Sequence, residues 1–446
     1  MSVDIAALMI ALLFVFILLG VHISFSLALL CSLGIMLITG NFATGVFILG
    51  STTFEAIRQF TFTAFPFFIM MGAFMSNSNI AETVFGFLAR RLRNVPGGLG
   101  VATILANAFF SCVVGIAIAG AVIFTRVAVP ELVKSHYSAK FSVGLIGGTS
   151  TLGMLIPPSL TLILYGTLAE VSIGRMFVAG IIPGIILVIM YSIYVVLMVV
   201  FAPHKVFVEG YTREKVAEIL EASAKELDSK KAAACVISTA GLIVLIIGGI
   251  WGGFFSPTEA AAFGALGALI ISIPNGMGIK RLKKALLETA QTVSAILFLL
   301  ITAQMYSRML TMSGLIMWVN TQVSGLDVHP YVILGVCLFI VLLTGTVIDV
   351  SSTILITVPL VVPIMARLGF DLIWFGIVFI LFVHMGLLTP PFGINVFAIK
   401  SSLPANVDVK LEQIFLATIP WLGIMLVHAI IIIAFPILAT WLPSLM

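Results

Sequence analysis

The chain has 446 residues, of which 61% are hydrophobic and 9% are charged, and its formal net charge is +4. A soluble domain usually carries about 25% charged residues, so this chain has too few charges to cover a soluble surface. The composition excludes a soluble enzyme, a nucleic-acid-binding domain and a disordered protein, and it indicates a protein whose main solvent is the lipid bilayer.

Because about 20 apolar residues cross a bilayer as a helix, the length allows about a dozen crossings. The first apolar run, 5–39, is long enough for two short spans or one steeply tilted helix. Four later runs are too long for one span and contain glycine or proline near the middle: 98–133, 140–169, 331–366 and 373–402. The remaining runs predict helices at 43–57, 62–76, 176–201, 235–251, 258–274, 288–310 and 411–441.

One long polar stretch, His204 to Lys231, lies between the two halves of the chain. It holds six Lys/Arg and six Asp/Glu residues, and a spacing such as Glu221 to Lys225 predicts a solvated helix. Two cationic clusters, at 90–93 and 280–284, are expected on the cytoplasmic side together with this linker, because positive loops stay inside. The loop 321–330 has no Lys or Arg and is expected outside.

The two halves contain similar motifs in the same order. The sequence GMLIPP at 153–158 matches GLLTPP at 386–391, and Pro130 and Pro363 stand at equal distances before them. A cationic loop precedes the first unit and a loop without cations precedes the second, which predicts that the units are inverted in the membrane. Inverted repeats with interrupted helices are typical of secondary transporters.

The interruptions carry the predicted chemistry. Proline pairs remove backbone donors and free upstream carbonyls, which at membrane depth need protein, water or an ion as partners. Carbonyls combined with hydroxyls suit a hard cation such as sodium, while half-helix N-termini favour an anionic ligand. Asp349 follows Thr344, Gly345 and Thr346 inside an apolar run. A carboxylate there costs ~2.5–3.5 kcal/mol, so Asp349 is expected to form a site, to cap the following helix, or both.

With these motifs the chain resembles the large membrane subunit of a tripartite ATP-independent periplasmic (TRAP) transporter, the DctM-like permease. The resemblance covers nearly the whole chain and rests chiefly on FPFF at 65–68, LGMLIPPS at 152–159, PTEAAA at 257–262, Asp349, and GLLTPP at 386–391 with Asn395. It implies an all-α polytopic protein of the bacterial inner membrane. Its fold would have inverted repeats, two re-entrant helical hairpins, two broken helices and an elevator mechanism.

The resemblance also implies a function and partners. The chain would import a small organic acid of the carboxylate or sulfonate class, delivered by a periplasmic substrate-binding protein and driven by sodium ions. A small four-helix membrane subunit is expected as a separate chain. The implied domains are scaffold and arm helices at 1–97 and 232–330, hairpin and broken-helix regions at 98–170 and 331–402, a membrane helix at 171–203, a cytoplasmic linker at 204–231 and a C-terminal membrane helix at 403–446.

Family sodium sites pair each hairpin tip with the facing Pro-Pro interruption. Carried over to this chain, site two would consist of Gly345, Thr346, Gly386, Thr389 and Pro391. Site one would consist of the backbone carbonyls of Gly153, Ile156 and Pro158 together with the tip at 114–117. The candidates for substrate binding are Ser159, Asp349 and Asn395.

The first hairpin tip departs from the family pattern. The family usually has Gly-Ser-Ser preceded by Ser, whereas this chain has Gly115-Ile116-Ala117 preceded by Val114. Because the expected side-chain oxygens are missing, site one is expected to be lost, to use backbone oxygens only, or to be rebuilt from Thr149, Ser150 or Thr151. Weaker or absent sodium binding at site one is therefore a hypothesis, and the number of sodium ions stays open.

Two alternative functions are considered. A standalone dicarboxylate/sodium symporter would have similar hairpins but would need no binding protein. An intramembrane hydrolase would need a nucleophile with a base or a metal motif, and the chain has neither H-E-x-x-H nor G-x-S-x-G. His384, two residues before Gly386, is expected to be a hydrogen-bonded core or interface histidine rather than a proton relay. The sequence specifies neither the substrate, the orientation of the N-terminus nor the oligomeric state.

Overall fold

The computed structural model describes residues 2–211, 229–325 and 327–446. These residues form helices and no β-strand, apart from an isolated bridge between Tyr137 and Phe207. Most of the linker stretch expected at 204–231, including Glu221 and Lys225, lies outside the described residues. The α-helices outside the two repeated units are Ser2–Leu18, Ile23–Thr39, Phe42–Arg58, Ala64–Ser76, Ile80–Arg91, Pro203–Val206, Ser229–Trp251, Pro257–Ser272, Ile279–Ser313, Leu315–Ser324 and Ile437–Thr440.

The first apolar run forms two helices rather than one tilted helix. Gly20 adopts φ +80° between them, a left-handed conformation that glycine reaches without steric cost. His22 then caps the second helix, since its Nδ1 accepts a hydrogen bond from the Ser24 amide at 3.4 Å. The sequence had left both possibilities open, and the turn decides between them.

Many helices are suited to a bilayer. Among the described residues, six helices are long and apolar enough to cross a membrane, or seven if the bent pair Ala139–Leu155 and Leu160–Leu168 counts as one span. Six further apolar helices have 10–17 residues. The apolar surface is correspondingly large, and side chains such as Phe47 and Leu19 are about three-quarters exposed.

A set of elements recurs in the same order in both halves. Hairpin 1 consists of Gly98–Val114 and Ala117–Lys134. Broken helix 1 follows, with the segments Ala139–Ser150, Leu152–Leu155 and Leu160–Leu168 and a bend of 45°. A long helix containing Pro183, Ile173–Phe201, completes the first set.

The second set has the same elements. Hairpin 2 consists of Pro330–Val347 and Val350–Arg367, broken helix 2 of Leu372–Leu388 and Ile394–Ser402, and the long helix Leu411–Ala434 contains Pro420. The sequence predicted both helix pairs and both interruptions within a few residues of these bounds. The inversion of one set relative to the other and the division into domains remain predictions.

Small residues let the helices approach each other around the first interruption. A Cβ atom on Gly180 would collide with the Leu155 carbonyl oxygen, and one on Gly184 would lie 2.7 Å from Ile156 Cγ1. A Cβ on Gly148 of broken helix 1 would lie 2.6 Å from the Trp421 ring. Close packing over small residues holds membrane helices together where hydrophobic burial cannot. Broken helix 1 is packed in this way against both long helices, Ile173–Phe201 and Leu411–Ala434.

Candidate functional site

The tip of hairpin 1 lies against the interruption of broken helix 1. Gly115 ends the first hairpin helix with φ +66°, a common helix-terminating conformation. Its carbonyl accepts a hydrogen bond from the Leu160 amide at 3.4 Å, and a Cβ on Gly115 would lie 3.0 Å from the Pro158 carbonyl oxygen. Tip and interruption, which are distant in sequence, are therefore in backbone contact, as the pairing of the two motifs predicted.

Hydroxyl groups already satisfy part of the first interruption. Ser159 Oγ donates to the Met154 carbonyl at 2.6 Å, and Thr161 Oγ1 donates to the same oxygen at 2.8 Å. Ser159 also caps the segment that follows, because its Oγ accepts from the Leu162 amide at 3.5 Å. Ser159 is 1% exposed, so the structure gives it a clear structural role, and its role in substrate binding stays a prediction.

The tip of hairpin 2 lies directly on broken helix 2. A Cβ on Gly386 would fall 2.6 Å from the Gly345 carbonyl carbon and 2.8 Å from Gly345 Cα. Only glycine at 386 permits this approach, because the nearest atoms are backbone and have no rotamers to change. Gly345 and Gly386, two of the residues predicted for site two, are thus brought together.

The hydroxyl groups of site two donate within their own helices. Thr346 Oγ1 donates to the Leu343 carbonyl at 2.8 Å, and Thr389 Oγ1 donates to the Met385 carbonyl at 2.7 Å. Each oxygen keeps lone pairs that can face a cation. Pro391 lies within the interruption and is exposed. The donor set of carbonyls and hydroxyls fits a hard cation such as sodium.

Asp349 caps the second helix of hairpin 2. Its carboxylate accepts hydrogen bonds from the Ser352 amide at 3.2 Å and from the Ser352 hydroxyl. The capping role that the sequence allowed is therefore present. Asp349 is exposed, and its participation in a binding site remains a prediction.

Asn395 joins the two broken helices. Its Nδ2 donates to Ser150 Oγ at 3.2 Å, and both residues have no exposed surface. The Asn395 Oδ1 atom is buried without a hydrogen-bond partner. The structure therefore brings a predicted substrate residue of the second half next to one of the hydroxyls considered for rebuilding site one.

Sequence reasoning missed two polar residues of hairpin 1, Asn107 and Ser111. Asn107 Nδ2 donates to Thr149 Oγ1 at 3.0 Å, and Ser111 Oγ donates to Asn107 Oδ1 at 3.4 Å. Both side chains are almost completely buried. Their spacing of four residues places them on one face of an apolar helix, and buried polar residues in membrane helices are unusual enough to have been a signal.

His384 lies completely buried in broken helix 2. Its burial agrees with the expected core position, but neither ring nitrogen has a hydrogen-bond partner in the described part of the chain, so the expected hydrogen bonds of a core histidine are absent. Across the described residues, no group of three His, Cys, Asp or Glu side chains could hold a metal ion.

A cleft of about 520 Å³ opens next to these elements. One wall contains residues of the helices expected to form the scaffold, among them Gln59, Thr258 and Gln304. The lining also contains Pro359 of hairpin 2, the end of broken helix 1 at 166–168, and residues 170–173 that lead into the long helix Ile173–Phe201. The cleft is therefore lined by residues from several of the predicted domains.

An all-helical membrane protein in which two hairpins face two interrupted helices has the architecture of a secondary transporter. Residues 10–438 match the family model described as the tripartite ATP-independent periplasmic transporter, DctM component. The chain belongs to this family. It is accordingly a multi-pass protein of the inner membrane and a transporter permease rather than an enzyme, which removes the hydrolase alternative.

Individual relatives agree with the family. The chain is 31% identical to the C4-dicarboxylate TRAP transporter large permease protein DctM of Pseudomonas aeruginosa, with 88% of each chain covered. It is 27% identical to the sialic acid TRAP transporter large permease protein SiaM of Vibrio cholerae, covering 96% of this chain and 95% of the relative. The crystal structure of the Alcanivorax borkumensis YdaH transporter has a similar fold, with a TM-score of 0.63, 14% identity and 90% of each chain covered.

Proposed function

We propose that this chain is the large permease subunit of a sodium-driven importer of a small organic acid. A periplasmic binding protein delivers the acid, and a small four-helix membrane subunit, encoded as a separate chain, completes the scaffold. The relatives named for C4-dicarboxylate and sialic acid transport support an acidic substrate. Neither a carboxylate nor a sulfonate is preferred by the features of this chain.

The observation that carries the proposal is the contact between hairpin 2 and broken helix 2. The Gly345 and Gly386 backbones touch, and the Thr346 and Thr389 oxygens flank the interruption with free lone pairs. Sodium would be held there by main-chain and hydroxyl oxygens, and the N-terminus of Ile394–Ser402 would attract the anionic substrate. Binding both would close the hairpin on its cargo.

The elevator movement is supported by the cleft. It is lined by residues of the predicted scaffold regions, such as Gln59 and Thr258, and by Pro359 of hairpin 2 and residues of the segment 166–173. A transport domain that moves needs open space beside the scaffold, and this cleft would supply it. Import would then proceed by sliding the loaded domain along the scaffold.

Thr389→Val tests the sodium site. The variant keeps the shape of the side chain but removes an oxygen at the interruption, so we expect apparent sodium affinity to fall about tenfold, equivalent to ~1.4 kcal/mol. Thr357→Val is the matched control, because Thr357 is buried in hairpin 2 and its hydroxyl bonds only the Thr353 carbonyl of its own helix. Sodium-dependent thermal stabilisation of the purified chain, with potassium replacing sodium, measures the difference. Equal sodium curves for the two variants would contradict site two.

Reconstitution separates the proposal from the standalone symporter. Proteoliposomes containing the chain and the small subunit should take up the acid only when the binding protein is supplied. Screening the binding protein against carboxylates and sulfonates by thermal shift identifies the acid beforehand. Full-rate uptake by the chain alone would instead establish a symporter without a binding protein.

A further inference from the structure

We infer that a hydrogen-bonded trio, Asn107, Ser111 and Thr149, takes the place of the sodium ion at site one. The inference rests on the proposed function, because sodium coupling is itself part of that proposal. In this chain, hairpin 1 would be joined to broken helix 1 permanently by side chains, and sodium would act at hairpin 2.

The residues around the first interruption do not fit a sodium ion. The tip at 114–117 has no side-chain oxygen. The Met154 carbonyl accepts from both Ser159 and Thr161, and the Gly115 carbonyl accepts from the Leu160 amide. Sodium needs several converging oxygens, and here the tip adds no side-chain oxygen while the Met154 and Gly115 carbonyls already share their lone pairs with protein donors. The Gly153, Ile156 and Pro158 carbonyls that remain are fewer oxygens than a sodium ion needs.

The trio forms a continuous polar connection between the two elements. Asn107 Nδ2, on hairpin 1, donates to Thr149 Oγ1, on broken helix 1, at 3.0 Å. Thr149 Oγ1 donates onward to the Leu145 carbonyl at 2.8 Å, and Ser111 Oγ donates to Asn107 Oδ1 at 3.4 Å. The three residues are at most 3% exposed. In such a dry environment each donor needs its acceptor, so the connection is held in one geometry.

Two glycines show how closely the trio is surrounded. A Cβ on Gly153, a residue predicted for site one, would lie 3.0 Å from Ser111 Oγ. A Cβ on Gly120, on the second helix of hairpin 1, would lie 3.0 Å from Asn107 Oδ1. Ser111 Oγ thus occupies the space next to Gly153, and Asn107 Oδ1 occupies the space next to Gly120.

Hairpin 2 has no equivalent connection. Residues 330–402 are all described, and no side-chain hydrogen bond joins Pro330–Val347 or Val350–Arg367 to broken helix 2. At the tip the contacts are between backbones, with Gly345 against Gly386 and Val383. An N–H donor and a cation can both interact with the lone pairs of an oxygen. The Asn107 amide would therefore link the hairpin to the broken helix at site one, as a bound ion would at site two.

Two measurements on the full-length chain in detergent test the inference. The first counts sodium ions bound per chain with radioactive sodium, using potassium as the competing control ion. The second compares thermal unfolding of Thr149→Val with that of Thr125→Val. Thr125 is an equally buried threonine whose hydroxyl bonds only the Ala121 carbonyl of its own helix. Ser111→Ala serves as a milder variant if Thr149→Val does not fold.

We expect one sodium ion per native chain and an unchanged count in Ser111→Ala. We expect the unfolding midpoint of Thr149→Val to lie below that of Thr125→Val by about 2 °C or more, because the buried Asn107 amide loses its acceptor. Two ions in the native chain, reduced to one by Ser111→Ala, would make the trio a ligand set and overturn the inference. Equal midpoints for the two threonine variants would also overturn it. A count of zero ions would overturn the sodium coupling proposed above, while the midpoints still decide the structural role of the trio.

Discussion

Gly386→Ala places a backbone clash directly at the contact between hairpin 2 and broken helix 2. The added Cβ would lie 2.6 Å from the Gly345 carbonyl carbon, whereas ordinary contact begins at 3.4 Å. Hairpin 2 must therefore retreat by about 3.4 − 2.6 = 0.8 Å, since the opposing atoms are backbone and cannot rotate away. Overpacking of this kind costs about 1–3 kcal/mol.

The functional consequence should exceed the loss of stability. A displacement of this size separates the oxygens of the hairpin from those of the interruption, and a cation site tolerates only a few tenths of an ångström in its ligand distances. We expect Gly386→Ala to fold with a lowered unfolding midpoint and to lose sodium-dependent stabilisation.

Gly335→Ala is the control, because Gly335 lies on the first helix of the same hairpin and a Cβ there meets nothing within 4 Å. Alanine should be neutral or slightly stabilising at that position, by up to about 1 kcal/mol. Both variants are measured by thermal unfolding in sodium and in potassium. A sodium response in Gly386→Ala that matches the one in Gly335→Ala would refute the reasoning.

Two further variants probe the first interruption and the second hairpin tip. Gly180→Ala places a Cβ against the Leu155 carbonyl oxygen. We expect about 1–3 kcal/mol of destabilisation in thermal unfolding and slower uptake in proteoliposomes. Native stability and uptake would show that the helix can shift freely. Asp349→Asn keeps a good capping residue, whereas Asp349→Ala removes the acceptor for the Ser352 amide. We therefore expect little change in stability for asparagine and a loss of about 1 kcal/mol for alanine, and equal losses would contradict the capping role.

The interruptions could be predicted from sequence because their causes are local. Proline removes a donor and fixes its own φ wherever it stands, and the two Pro-Pro pairs do end helical segments near 156 and 389. The tip of hairpin 1 was predictable for the same reason, since Gly115 supplies the left-handed residue that ends a helix. Asp349 had two possible roles, and a distance to the Ser352 amide was needed to establish one of them.

The hydrogen-bond partner of each polar group could not be predicted, because it depends on which helices pack against each other. The carbonyls freed by the first Pro-Pro pair were predicted to bind an ion. In the structure, the Ser159 hydroxyl donates a hydrogen bond to one of them, the Met154 carbonyl. Thr149 was predicted as a possible replacement ligand. Its hydrogen bond with Asn107 could not be predicted, because Asn107 lies 42 residues earlier in the chain. Similar reasoning applies to Asn395 and Ser150, which meet only because the two broken helices cross.

The two hairpins are attached by different physical means, and under the proposed function this difference would determine where an ion acts. A cation changes a conformational equilibrium only if it binds one state better than the other. At hairpin 1 the Asn107 amide supplies the donor in every state in which the helices remain packed, so an added cation would find few free oxygens. At hairpin 2 the tip is held against broken helix 2 by the backbone approach of Gly345 to Gly386, so under the proposed function a cation bound there would favour the docked state over an open one. Sodium would therefore control the closing of hairpin 2 while hairpin 1 serves as the fixed wall against which the cargo is held.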